Sequence, residues 1–408
     1  MTTLSPRRVR LALLALALGG FGIGATEFVV MGLLSNISAD LLPELDATDH
    51  TAALAQTGWL ISAYALGVVV GAPTIAALAA RFPRKQLLLW LLAAFTIATV
   101  ASAVAETFEL VLISRFVAGL PHGAYFGIAS LVAASLMGEG KRGRGVAFVL
   151  SGLTISNVIG VPLITFLGQN AGWRVAYLVV AAIFALTFLA VALVVPLQPG
   201  DANATMRREL TIFRRPQVWL ALAVGSIGFG GFFAVYSYID PVVTQVTGLD
   251  EGFVPIALVA AGIGMTIGNL LGGRFADHHV MKTVFVCFAI FAVSLVGFAL
   301  TAQYPVGLLL FFMLTCGAGS ALSPAIQTRL MDVAGEAQSL AAALNHSALN
   351  IGNSLGAFLG GITIAAGLGY LSPSWIGLGL CVIGAALAVV SLVLSRRTAS
   401  DTELVAGL

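Results

Sequence analysis

GVVVGAPTIAALAARF (67–82) and GMTIGNLLGGRFADHH (264–279) decide how this chain is read. Written one above the other, they place Gly67 and Gly71 on Gly264 and Gly268, at a shift of about 197 residues within a chain of 408. Similar shifts bring Gly119 to Gly317 and Asn157 to Asn350. The identity is weak, yet the matches fall in the same order throughout, as a tandem repeat of six membrane spans predicts.

Composition says which solvent surrounds that repeat. The chain is 59% hydrophobic and 9% charged, whereas a soluble domain carries roughly 25% charged residues. There is too little charge for a polar shell, so a bilayer has to cover most of the surface. Apolar stretches of spanning length fall at roughly 10–34, 57–79, 86–105, 108–131, 145–168 and 173–195, then at 218–239, 253–275, 281–301, 304–327, 338–365 and 371–395. Arg7, Arg8 and Arg10 ahead of Leu11 to Leu18 have the form of a secretory signal. The apolar run continues to Leu34, however. That is about 24 residues, enough to cross a ~30 Å core at 1.5 Å per residue, and the expectation is an uncleaved first helix.

Sidedness follows from the bases, because Lys and Arg near helix ends stay on the cytoplasmic side. Of the 20 Lys and Arg, 18 lie at the termini or in alternate loops, among them Arg81, Arg84 and Lys85, then Lys141, Arg142 and Arg144, and Arg274 and Lys282. The opposite loops carry acids such as Asp40, Glu44, Asp46, Asp49, Asp250 and Glu251. Both termini are therefore expected in the cytoplasm of a bacterium, with the chain crossing its inner membrane an even number of times. The exceptions are Arg174, at a helix edge, and Arg115, inside the fourth span. PLQPGDANATMRRELTIFRRP (196–216) is the long polar stretch between spans on that side. The expected organisation is an all-α integral membrane protein of twelve transmembrane helices: a six-helix bundle over 1–195, a cytoplasmic linker over 196–217, and a second bundle over 218–408.

Several function classes drop out. A net charge of +2, spread in short clusters, gives no nucleic-acid surface. Cys287, Cys316 and Cys381 sit in apolar runs with no CxxC pair and no metal-ligand spacing, so neither a metal nor another cofactor is expected. HExxH and other catalytic sets are missing, which argues against an intramembrane enzyme, and without a GxxxxGK[ST] loop the chain carries no ATP-driven pump.

Three motifs resemble the major facilitator superfamily, and within it the twelve-helix drug:proton antiporters. ARFPRK (80–85) resembles the family's Asp-Arg-x-Gly-Arg-Lys gating loop, with Ala80 in place of the Asp and Pro83 in place of the Gly. Its copy, GGRFADHH, keeps the acid as Asp277. RFVAGLPHGAYFG (115–127) resembles the pattern whose intramembrane Arg is linked to proton coupling, and GLTISNVIGVPLITFLG (152–168) resembles the antiporter motif, with Val161 inside its Gly-Pro. GIGATEFVVMGLL (22–34) is similar to the arabinose-efflux and chloramphenicol-exporter branch. The resemblance implies a major facilitator fold of two pseudo-symmetric halves and proton-coupled export of a small amphipathic molecule. It also implies gating by Arg81, Arg84 and Asp277.

A charge at mid-membrane costs at least ~2.5 to 3.5 kcal/mol on insertion scales, so each one is a candidate for function. By position along their spans, Glu27 and Arg115 lie at matching depth, ~10 Å from one surface at 1.5 Å per residue. Glu27 either exchanges a proton through the cycle, balanced by Arg115, or makes a static pair or a hydrogen bond to cargo. Arg115, Gly119 and His122 fall on one stripe expected to look into the cavity. His122 is a proton relay or a packing histidine. Asp240, before Pro241, is a second titratable site or an interfacial acid facing water, the latter being favoured by its place near the helix end. Asn157, Asn345 and Asn350 supply hydrogen bonds in apolar helices, for cargo or for helix packing. Tyr125, Phe232 and Tyr236 form a drug surface or face lipid. The partners expected are a small-molecule substrate, protons and membrane lipid, with the chain acting as a monomer. A sugar or metabolite exporter, or an uncoupled facilitator of the same fold, is the alternative.

Overall fold

The computed structural model describes residues 5–79, 82–137, 142–199, 210–334 and 338–406. Among them twelve helices are long and apolar enough to cross a membrane: Pro6–Gly32, His50–Ile75, Arg84–Val104, Phe108–Met137, Ala147–Ala171 and Trp173–Val194, then Pro216–Tyr236, Glu251–Ala276, His278–Thr301, Pro305–Val333, Leu344–Ala365 and Ser372–Ser395. These are spans 1 to 12. Helices are the outcome because a backbone N–H or C=O left unbonded in hydrocarbon costs several kcal/mol, and a helix satisfies nearly all of its own. Most expected spans are recovered within about four residues; span 2 starts seven residues earlier, at His50, spans 4 and 10 end six residues later, at Met137 and Val333, and span 11 starts six residues later, at Leu344. Hydropathy marks only the apolar part of a helix, and the first turns of span 2 carry His50, Thr51 and Gln56.

The spans form two six-helix bundles, and the glycines of the repeat set their packing. A Cβ on Gly67 would collide with the Phe116 carbonyl oxygen and one on Gly71 with that of Leu120. The second bundle repeats this, with Gly264 against Met313 and Gly268 against Gly317. Spans 2 and 4, like spans 8 and 10, thus touch backbone to backbone, which only a hydrogen in place of a side chain allows. These contacts keep one shift of 197 residues, which pairs Gly317 with Leu120 and leaves Gly119 one residue off that register.

Helical regularity breaks where polar groups gather. Span 4 is two helices, Phe108–Gly119 and His122–Met137, parted at Pro121, whose ring removes a donor and crowds the preceding turn. Span 5 widens by one residue per turn over Ser156–Gly160, and span 7 is divided between Pro216–Gly228 and Gly230–Tyr236. Spans 8 and 9 are joined through His279, the one non-helical residue inside Val254–Thr301.

Twelve crossings return the chain to the side from which it started; that end of the bundle is called terminal here and the opposite end distal. Among the described residues, hydrogen bonds between the bundles run from the middle to the distal end. Ser62 Oγ donates to the Ser354 carbonyl at 3.2 Å, Thr51 Oγ1 lies 3.4 Å from the Tyr370 hydroxyl, and Gln169 Nε2 donates to the Glu251 carbonyl at 3.0 Å. Span 2 packs along span 11, and the widened turn of span 5 lies on span 8, where Gly262 meets the Asn157 carbonyl. The distal end is closed.

Arg174 is held at this end by Asp40, which also accepts from Trp173 Nε1 at 2.9 Å. The base that breaks the loop pattern is thus neutralised by the acidic loop it faces. Cys287, Cys316 and Cys381 are buried and free, as expected of small core residues.

Two glycine substitutions test the packing. Gly268→Val should cost more than ~3 kcal/mol of stability or prevent folding, since backbone cannot yield as a side chain would. Gly379→Ala, where a Cβ has nothing within 4 Å, should be neutral or stabilising by up to ~1 kcal/mol. Thermal unfolding in detergent reads both.

Candidate functional site

Glu27 sits on span 1 in the sequence Gly-Ala-Thr-Glu-Phe, five residues from the helix end at Gly32, and is 6% exposed. Its Oε1 accepts a hydrogen bond from Asn353 Nδ2 of span 11 at 3.1 Å. The carboxyl of one bundle is therefore held by an amide of the other. Phe28, the next residue, also crosses the seam, edge-on to Tyr236 at 5.1 Å and stacked at 6.0 Å with Phe233.

Arg115 is 1% exposed, but it makes no ion pair with Glu27 within 4.0 Å. Its Nη1 donates to Thr26 Oγ1 at 3.1 Å, its guanidinium lies 4.5 Å over the Tyr64 ring and 5.6 Å from that of Tyr177, and Nε and Nη2 have no hydrogen-bond partner. Faces of tyrosine rings attract a cation by their quadrupole. Arg115 is thus held beside Glu27 through its neighbour Thr26, with two donors to spare.

The stripe of Arg115, Gly119 and His122 packs on span 2 rather than lining open space. Gly119 abuts the Tyr64 carbonyl, Arg115 covers the Tyr64 ring, and His122 Nδ1 lies 3.0 Å from the Tyr64 hydroxyl. A glycine between two long side chains lets span 2 approach close enough for Tyr64 to touch both. His122 alone reaches the other bundle, its ring 6.3 Å from that of His346, which stacks on Phe126 at 5.6 Å.

The aromatic candidates are buried, so they do not face lipid: Phe232 is 1% exposed and Tyr125 and Tyr236 are 0%. Tyr236 and Phe232 stack at 5.4 Å at the seam beside Phe28 and Phe312. Tyr125 instead turns to span 1, donating its hydroxyl to the Leu16 carbonyl at 2.9 Å. Asn157, Asn345 and Asn350 are all buried, and in each the side-chain carbonyl oxygen has no partner. Asn350 Nδ2 is occupied by the His346 carbonyl at 3.0 Å.

Asp240 departs from the interfacial reading. It is 1% exposed, and its Oδ2 accepts the Ser35 backbone N–H of the first bundle at 2.7 Å. Burial pushes its carboxyl up to about 6 against the two hydrogen bonds from Ser35 that lower it. The chain turns at Pro241 and folds the acid inward instead of presenting it to water.

Of the residues expected to gate, Arg81 lies outside the described residues, as does the side chain of Asp277. Arg84 is half-buried and its backbone N–H donates to the Gln198 carbonyl at 3.1 Å, tying the start of span 3 to the exit of span 6. Sequence reasoning passed over Tyr64, Thr26 and Tyr177, which have no charge to mark them. The available signal was the spacing of Tyr64, Gly67 and Gly71, which share a helix face.

A buried acid and base, amide and aromatic side chains thus gather near the seam of two bundles of six membrane-spanning helices, the architecture of a membrane transporter. The chain belongs to the Major Facilitator Superfamily, whose family model matches residues 16–279 and 241–407. The inner membrane transport protein YdhP of Escherichia coli (strain K12) is 37% identical over 400 residues, covering 98% of this chain and all of that one. A chloramphenicol resistance protein of Streptomyces lividans is 32% identical over 369 residues, 90% of this chain and 92% of that one. The crystal structure of a D-xylose-proton symporter shares the fold at a TM-score of 0.76 and 17% identity, covering 93% of this chain and 97% of that one.

Thr26→Val removes the acceptor of the one hydrogen bond Arg115 makes among the described residues, leaving a buried guanidinium with only the two tyrosine rings to answer it. Stability should fall by ~1 to 3 kcal/mol, whereas Thr26→Ser should keep it; thermal unfolding in detergent distinguishes them.

Proposed function

We propose that this transporter exports a small amphipathic molecule across a bacterial inner membrane in exchange for protons, by rocking its bundles about the central seam. The observation that carries the proposal is the Glu27–Asn353 hydrogen bond: a titratable group inside the membrane whose one hydrogen bond among the described residues crosses the surface that has to part. With the distal end closed, Glu27 is shielded by Asn353 and the aromatic cluster. Parting spans 2 and 11 takes Asn353 away and admits water, and Glu27 then exchanges its proton with that side. Cargo and proton compete for one carboxyl, so each crosses in the direction opposite to the other. Arg115 keeps a positive charge beside the site through the cycle, and His122, bonded to Tyr64 and facing His346, completes a polar path toward the terminal end.

The substrate contacts fall to Glu27, Phe232, Tyr236, Asn157, Asn345 and Asn350, with Tyr125 behind them. The moving bodies are residues 1–195 and 218–408, joined by the cytoplasmic linker 196–217, of which 200–209 lie outside the described residues. The basic loops at the terminal end support a reading with both termini in the cytoplasm, and in that reading Arg84, with Arg81 and Asp277, guards that end. One chain contains the whole seam, so the unit of transport is a monomer. The similarity to a chloramphenicol resistance protein favours drug-like cargo of that type.

A second reading has its own observation. The side-chain carbonyl oxygens of Asn157, Asn345, Asn350 and Asn353 are buried without donors. Buried acceptors in such number suit a cargo rich in hydroxyl or N–H groups, as a sugar or related metabolite is, because unpaired they cost ~1 to 3 kcal/mol each.

Purified protein in liposomes, given chloramphenicol or a pentose under an imposed pH gradient, tests both readings. Transport of one probe should follow the gradient, and Glu27→Gln, which keeps the shape and the bond to Asn353, should lose at least ~90% of the gradient-driven component while downhill exchange persists. Flux indifferent to the gradient would make the protein an uncoupled facilitator. Coupling that survives in Glu27→Gln would move the proton site elsewhere.

A further inference from the structure

The seam contains a second carboxyl that the central site does not use. Asp240 follows span 7 at the distal end, is 1% exposed, and receives the backbone N–H of Ser35, 205 residues away in the other bundle. Ser35 stands in the first turn of the helix Leu34–Leu41, whose own preceding residue, Leu33, supplies no side-chain cap. The first turn of a helix leaves N–H groups without partners and carries positive partial charge. Asp240 supplies the missing cap from the opposite bundle, so this contact exists only while the distal end is shut.

We propose that Asp240 is a proton-binding latch: with a proton bound it keeps the distal end closed, and once ionised it favours separation of the bundles. The proposal rests on the alternating-access reading and adds to it a sensor of the pH at the distal side.

The surroundings of Asp240 set the sign. Among the described residues no Lys or Arg acts on it. Glu251, on the turn Glu251–Phe253, repels the ionised form, and His50, at the start of span 2, favours it. His50 is itself shared with Asp46, 2.9 Å away. On the helix Leu34–Leu41 the titratable residue is Asp40, already engaged by Arg174 and Trp173. The last turns of span 1 beyond Glu27, the turn Val242–Val246, and span 8 between Glu251 and Arg274 contribute none. Burial therefore dominates and raises the carboxyl from 3.8 to about 6 in the closed form. In the open form water reaches the carboxyl and its ordinary value returns. A group whose affinity for protons is higher in the closed form favours closure as pH falls through that raised value. The difference between 3.8 and about 6 allows roughly a hundredfold change in the closed-to-open ratio, of which about tenfold falls between pH 7.5 and pH 5.

The partnering hydrogen bond also explains how one proton acts over a whole seam. Asn36, next to Ser35, reaches Glu251 at 3.5 Å, and Glu251 receives Gln169 of span 5 through its carbonyl. Loss of the cap at Ser35 releases the helix that carries these neighbours.

The test measures the distal end directly. Spin labels on Thr48→Cys and Gln303→Cys, both exposed on distal loops of different bundles, are introduced with Cys287, Cys316 and Cys381 replaced by Ala, and their separation is read by pulsed electron resonance in liposomes between pH 5 and pH 7.5. The separated population should grow with pH around a midpoint near 6. Asp240→Asn, which preserves shape and stays uncharged, should remain closed throughout. Ser35→Pro deletes the donor at a position where a first helical turn tolerates proline and should raise the open population at every pH. Glu27→Gln should keep the wild-type midpoint even where gradient-driven transport is lost, which separates this proposal from the role of Glu27. Asp240→Asn with an unchanged pH response, or held open at every pH, overturns the latch, as does a response abolished by Glu27→Gln alone.

Discussion

A carboxylate in hydrocarbon has to be answered by the protein, and in this chain Glu27 is answered across a joint. Asn353 belongs to the other bundle, so the bond that makes the acid tolerable also makes its environment depend on how the bundles sit. A bond of this type contributes about 0.5 to 1.5 kcal/mol to a protonated carboxyl and about 1.5 to 3 kcal/mol to an ionised one, offsetting part of the cost of holding the acid in hydrocarbon. Separating the bundles withdraws that contribution and replaces it with water. On the proposed alternating-access cycle, proton affinity and conformation are then two readings of one equilibrium, which is the requirement for coupling.

That dependence is useful only if each bundle moves as a body. Backbone contacts at Gly67, Gly71, Gly264 and Gly268 tie spans 2 to 4 and 8 to 10 without a compressible side chain between them. Each contact repeats in the other bundle, so the two are built to similar stiffness. The seam is different in character: aromatic rings, single hydrogen bonds and amides with spare acceptors, a surface that can part without tearing a core. Rigid halves and a polar seam divide the tasks of holding shape and changing it.

The fold was legible because its signals are periodic and additive. Apolar runs of spanning length, bases in alternate loops and two glycine-bearing copies each point to twelve helices in two halves, and Gly71 and Gly268 then occupy the same place in each. The site was legible only as residue types. Glu27 and Arg115 announce themselves as charges in hydrocarbon, yet their depth along the helices suggested a mutual balance, while the structure gives Glu27 to Asn353 and Arg115 to Thr26 and two tyrosine rings. Depth fixes one coordinate of a side chain; rotation about the helix and the choice of neighbour depend on packing across the whole bundle. Asp240 was misplaced for the same reason. Nothing near Pro241 in the sequence shows that a helix end from 205 residues away lies over it.

Motion at the seam decides the central claim. A cysteine pair at Ser62 and Ser354, where spans 2 and 11 meet at 3.2 Å, can be joined by a short thiol-reactive linker in protein reconstituted into liposomes. If transport requires these spans to separate, the linked protein stops transporting and a reducible linker restores the rate when cleaved. Full transport in the linked state would show that cargo and protons cross without opening this seam, and the account given of Glu27 would fall with it.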